Sequence, residues 1–97
     1  MPDSSSLQVY SIEQCDEDGG VCIVRCISGV ARVGQVFLPE ASDSSAKVRP
    51  LTLDRIERYR QPVEFFDPPH SAMVYLSGAP LTDLQRGTVL VSTLLPT

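Results

Sequence analysis

Apolar side chains recur along this chain at short intervals, and in most segments they alternate with polar ones instead of returning at helical spacing. In Leu7-Gln-Val-Tyr-Ser-Ile12 the apolar positions 7, 9 and 12 sit among aromatic and polar residues, the mixture of a strand. Cys15-Asp-Glu-Asp-Gly-Gly20 follows, and its paired glycines allow the positive φ angles of a hairpin turn. The returning segment, Val21-Cys-Ile-Val-Arg-Cys-Ile27, is apolar on both alternating faces apart from Arg25. That is the pattern of a strand covered on both sides, expected to be the most buried one.

Further along, Ser28-Gly29 and Arg32-Val-Gly34 bracket a short link, Gln35-Val-Phe-Leu38 resumes extended character, and Pro39 stops it. Glu40 to Ala46, rich in Ser and Ala, reads as a surface loop. Val48 to Tyr59 supports two readings. Thr52 could cap a helix carrying Leu53, Ile56 and Tyr59 at every third residue, yet Arg49, Leu51 and Leu53 alternate as in a strand. Pro62, Pro68 and Pro69 confine Val63-Glu-Phe-Phe66 to a short or edge strand. Ala72-Met-Val-Tyr-Leu76 is a clearer strand, ended by Gly78 and Pro80. In Leu81-Thr-Asp-Leu-Gln-Arg-Gly87 a Thr or Asp begins one helical turn that the glycine can end, and Thr88-Val-Leu-Val-Ser-Thr93 is the last strand. Many short strands with turn signals between them point to a β-sandwich or barrel.

Composition narrows the class. Ninety-seven residues, 42% hydrophobic and 21% charged, suit one folded core. Residues 1–6 are expected to be a flexible tail and residues 7–95 the domain. With no signal-peptide pattern and no apolar run long enough to span a bilayer, a cytoplasmic protein away from membranes is expected. Three cysteines, an odd number, then imply reduced thiols. A net charge of −4 disfavours general binding to a nucleic-acid backbone. The charge is uneven, however. Residues 47–60 hold Lys47, Arg49, Arg55, Arg58 and Arg60 against Asp54 and Glu57, so five bases less two acids leave a local +3.

Five pieces of the chain carry a resemblance: Leu7-Gln-Val-Tyr-Ser-Ile12, Ser28-Gly-Val-Ala-Arg-Val-Gly-Gln-Val36, Ile56-Glu-Arg-Tyr-Arg60, Val74-Tyr-Leu-Ser-Gly78 and Leu84-Gln-Arg-Gly-Thr-Val-Leu90. In order and spacing they resemble the second domain of elongation factor Tu and related translational GTPases. The resemblance implies an all-β fold, a small closed antiparallel barrel, with residues 51–59 as a strand whose bulge places Leu53 and Ile56 on one side. In the full-length factors this barrel lies against a GTP-binding domain and helps hold the aminoacyl end of transfer RNA. Here no Gly-x-x-x-x-Gly-Lys-Ser/Thr phosphate loop occurs, so no GTP binding is expected. The family's acidic pair before the first strand is Leu7-Gln8 in this chain, its pocket Asn corresponds to Ser71, and its Gly-x-Ala-Gly loop is Asp67-Pro-Pro-His70.

Candidate chemistry is sparse. His70 is the single histidine and lies in no nucleophile motif. Cys22 and Cys26 share a strand face about 13 Å apart, too far for one disulfide or one metal, and read as buried structural thiols. Cys15 and Cys22 could face each other across the hairpin. Asp16 opens a weak match to a calcium loop whose twelfth position is Ile27, where an acid is needed. No metal or cofactor is expected. On a strand, Arg58 and Arg60 share one face with Tyr59 opposite, which suits an ordinary wet surface or a small anionic-contact patch.

These readings converge on a non-catalytic, stand-alone barrel that binds a partner, most simply a protein. The alternatives are an RNA-binding module related to translation, disfavoured by net charge, and an accessory subunit of a larger complex. The candidate binding residues are Tyr10, Arg58, Tyr59, Arg60 and His70.

Overall fold

The computed structural model describes residues 5–39, 50–81 and 84–93. The strands are β1 (Ser6–Asp16), β2 (Gly19–Ser28), β3 (Ala31–Arg32), β4 (Val36–Pro39), β5 (Leu51–Arg58), β6 (Gln61–Val63), β7 (Phe65–Phe66), β8 (Ser71–Ser77) and β9 (Val89–Thr93). Among the described residues there is no α-helix, and none that could cross a membrane. Six strands run in the order β4-β9-β1-β2-β8-β5, and β4 pairs with β5 to close the ring. The expected closed antiparallel barrel is therefore present. β6 adds to β5 as an outer edge strand, where Pro62 removes one of the donors that would recruit another chain. β3 and β7 form a separate two-stranded ribbon.

Alternation explains the interior. Leu7 and Val9 of β1, Cys22, Val24 and Cys26 of β2, Phe37 of β4, Leu51, Leu53 and Ile56 of β5, Val74 and Leu76 of β8, and Leu90 of β9 are buried together. Ala31 and Phe66, paired across the β3–β7 ribbon, join the same core. β2 departs from the expectation of cover on both sides. Cys22, Val24 and Cys26 of its inward face are fully buried, whereas on the outward face Val21 is buried, Ile23 half-buried and Arg25 and Ile27 exposed.

Two strands break their alternation in the same way. β1 buries 7 and 9 and then turns Ile12 toward the core, while β5 buries 51, 53 and 56. In each an extra residue bulges out: Tyr10 between the pairs Val9–Val24 and Ser11–Ile23, and Asp54 between Leu53–Leu76 and Arg55–Tyr75. The bulge expected in β5 is thus observed, and a bulge bends and twists a strand as closure requires. The helical alternative for this segment falls. Tyr59, expected in the strand, lies beyond it in a turn.

At the first hairpin the turn is Glu17–Asp18, with Asp16 paired to Gly19. The glycines serve a different need from the one expected. A Cβ on Gly19 would overlap the carbonyl oxygen of Leu76, and one on Gly20 the carbonyl oxygen of Gln14. They permit close backbone approach on both sides of β2. Cys15 pairs with Gly20 while Cys22 pairs with Ile12, so the two thiols do not face each other across the hairpin. All three cysteines are free, Cys15 exposed and the other two buried. Ser5 and Ser6, assigned from sequence to the tail, belong to the barrel: Ser6 opens β1, and Ser5 is buried, its N–H donating to Ser92 Oγ at 2.7 Å. The loop expected over 40–46 and the Thr82–Asp83 start of the helical turn lie outside the described residues. What is described of that turn is the Leu84 N–H donating to the Leu81 carbonyl at 3.0 Å, with Gly87 at φ 94°.

Candidate functional site

β5 and β6 are joined by two residues, Tyr59 and Arg60, between the paired Arg58 and Gln61. Both take positive φ, 53° and 66°, the signature of the tight hairpin turn normally built from Asn and Gly. This overturns the expectation that Arg58 and Arg60 share a strand face. The chain reverses between them, throwing the Tyr59 ring out to 89% exposure. A non-glycine residue with φ above zero is uncommon, and an aromatic one costs roughly 1–2 kcal/mol of backbone strain.

Beside this turn the barrel's outer face holds a pocket of about 510 Å³, open to solvent on one side and lined by Ile23, Glu57, Arg58, Tyr59, Arg60, His70, Ser71, Ala72 and Met73. Register assembles it. Ile23 of β2 pairs with Met73 of β8, and Met73 pairs with Glu57 of β5, so three outward side chains stand side by side as a floor. The turn supplies one wall, and the loop entering β8 supplies the other with His70 and Ser71. That loop is tied to β2 by the Cys26 N–H donating to the His70 carbonyl at 2.9 Å.

The polar groups divide into engaged and available ones. The carboxylate of Glu57 meets Arg55 Nη2 at 2.8 Å and accepts from the Tyr75 hydroxyl at 3.3 Å, and Arg55 also lies over the Tyr75 ring. His70 Nδ1 lies 3.2 Å from Asp67 Oδ1 and 3.1 Å from the Asp67 carbonyl. Arg58 is different. Its Cζ sits 5.5 Å from the centre of the Tyr59 ring, and its Nε is buried with no hydrogen-bond partner among the described residues. A buried donor without an acceptor costs about 1–3 kcal/mol, and guanidinium nitrogens are suited to carboxylates and phosphates.

Four of the five residues proposed from sequence, Arg58, Tyr59, Arg60 and His70, therefore meet in one pocket. Tyr10 is not in its lining. As the bulge residue of β1 it stands beyond Arg25, which bridges the gap by donating to the Tyr10 hydroxyl at 3.5 Å and to the Pro69 carbonyl at 3.2 Å. The local +3 strip is described only in part. Lys47 and Arg49 lie outside the described residues, and Arg55 is held by Glu57. Sequence reading did not single out Ile23, Glu57, Ala72 or Met73 for this site. The alternation of β2 and β8 marks Ile23 and Met73 as outward-facing apolar residues, the one signal that could have found them.

The two remaining thiols are buried in the core. Burial, with a smaller contribution from the Glu13 carboxylate, pushes the Cys22 thiol up to about 12, and burial also raises Cys26. Both stay protonated and unreactive near neutrality. Among the described residues no cluster of three His, Cys, Asp or Glu side chains is placed to hold a metal.

No protein-family model matches this chain, and no curated protein matches it.

Proposed function

We propose that this chain is a non-catalytic binding module that holds a protein partner at the pocket between the β5–β6 turn and the start of β8. The observation that carries the reading is the convergence of Arg58, Tyr59, Arg60 and His70, brought together from the β5–β6 hairpin and the loop entering β8 over a floor that carries Ile23 and Met73. Aromatic and arginine side chains dominate contact energies in protein interfaces, and an apolar floor with a polar rim is the usual anatomy of such sites. A strained turn that displays Tyr59 and Arg60, where Asn-Gly would be relaxed, supports a role for those two side chains outside the fold.

Capture from native extract tests this. The intact chain should retain a specific partner, and R58A/R60A should lose it while keeping a wild-type circular dichroism spectrum. A folded double variant that retains the partner would place the binding surface elsewhere.

A second reading draws on the ordered motifs that resemble the barrel of translational GTPases: an RNA-binding module related to translation. Its phosphate contacts would give RNA retention that falls steeply with salt. A net charge of −4 weighs against it.

A further inference from the structure

We infer that the pocket takes a peptide carboxylate together with the apolar side chain beside it, the chemistry found at a peptide's C-terminus and at an internal Glu or Asp next to an apolar residue. The inference rests on the binding-module reading and deepens it.

Charge sets the ligand's valence. Two arginines against one glutamate leave the lining at +1, with His70 counted as neutral, on a chain whose whole charge is −4. One negative charge matches such a site. A polyanion would gain little from it and would be repelled by the rest of the surface.

Geometry sets the rest. Among the described residues Arg58 Nε has no acceptor, and the Tyr59 ring beside the guanidinium is almost wholly exposed. A carboxylate oxygen arriving at that nitrogen satisfies it, and an arginine and a carboxylate pair best through two parallel hydrogen bonds. The volume, about 510 Å³, exceeds what a carboxylate needs, and the floor beyond it carries Ile23 and Met73 beside Glu57. That floor suits an apolar side chain. Because the pocket is open on one side, a free small acid would stay partly wet, whereas a peptide continues out over the rim and keeps adding contacts.

The test follows the Met73 methyl resonance of the intact protein during titration with four probes. They are an acetylated tetrapeptide ending in Leu with a free carboxylate, the same peptide amidated, an amidated peptide with an internal Glu-Leu pair, and a short RNA oligonucleotide. The free-carboxylate peptide should shift Met73 saturably. Amidation should weaken it about tenfold or more, the expected loss of a charge-assisted pair, and so should R58A. The internal Glu-Leu peptide separates the two sources: binding comparable to the free C-terminus assigns the pocket to side-chain carboxylates, and weaker binding assigns it to chain ends. Equal binding of the amidated tetrapeptide would overturn the inference. So would a Met73 shift produced by the oligonucleotide and by no peptide, although the pocket would then still be a binding site. A Met73 resonance unmoved by every probe, with a native partner still captured by R58A/R60A, would overturn both readings. The amidation comparison uses the wild-type protein, so the test stands even where R58A fails to fold.

Discussion

The guanidinium of Arg58 lies over the ring of Tyr59, its Cζ 5.5 Å from the ring centre, although the backbone between them has left the strand and Tyr59 stands at φ 53°. Neighbours in a strand point to opposite faces and cannot stack. The positive φ of the turn is what allows the contact, and it is paid for in backbone strain at two consecutive residues.

Relieving that strain should stabilise the protein at the expense of the site. Replacing Tyr59 and Arg60 by Asn and Gly, the preferred pair for this turn, should raise the unfolding free energy by about 1 kcal/mol after loss of the cation–π contact. Urea denaturation measures it. The same variant should no longer hold the partner, and a less stable variant would show that the turn is not strained.

The glycines of the first hairpin should be far less replaceable than those of exposed turns. Gly19→Ala drives a Cβ into the Leu76 carbonyl and should cost about 3 kcal/mol or more, since backbone on both sides must shift. A Cβ on Gly34, at φ 98°, would meet no atom of the described residues within 4 Å. Gly34→Ala should therefore cost only the conformational strain, about 1–2 kcal/mol. Equal losses in thermal or urea unfolding would remove close approach as the reason for Gly19.

Core and site should separate cleanly in stability. Ile56 is fully buried on the inner face of β5, and Ile56→Ala should destabilise by about 2–5 kcal/mol through lost burial and the cavity left behind. Arg60 is exposed in the turn two residues past that strand's end, and Arg60→Ala should stay within about 0.5 kcal/mol. A large loss in R60A would mean that the turn arginine belongs to the fold.

Alkaline pH should unfold the protein partly through its buried thiols. Cys22 titrates near 12 in the folded chain against an ordinary 9.0, so between those values the unfolded chain releases a proton that the folded chain keeps. The thiol's contribution is complete below about pH 9 and is lost as pH rises toward 12, with a slope of up to roughly 1.4 kcal/mol per pH unit. Cys26, also raised, adds to the same fall. Stability measured from pH 8 to 11 should drop less steeply in C22A than in the wild type. Parallel slopes would show that Cys22 is not protected.

Much of the barrel was legible in the sequence. The residue pattern left 48–59 open between helix and strand, and the resemblance implied the bulged strand that is observed, whereas the spacing at 7, 9 and 12 in β1 went unread as a bulge. Cys22 and Cys26 were rightly assigned to the core. The arginines and tyrosine of residues 58–60 were singled out as binding residues on a strand, and the structure places them at a turn that no Asn or Gly marks, beside a pocket. Likewise the glycines at 19 and 20 suggested a turn that Glu17 and Asp18 make instead.

By itself the sequence determined most of the longer strands and the inward residues of β1, β2 and β8, since side-chain alternation is a property of the extended backbone that needs no partner. Closure and the site were decided only by the tertiary structure. β4 meets β5, Ile23 meets Met73, and His70 comes to Arg58 through pairings between residues distant in the chain. Such pairings depend on register, and here the register is reset within strands at several points, Tyr10 and Asp54 among them. Shifting a strand by one position exchanges its faces, so the pocket exists only when every strand of the ring is in place at once.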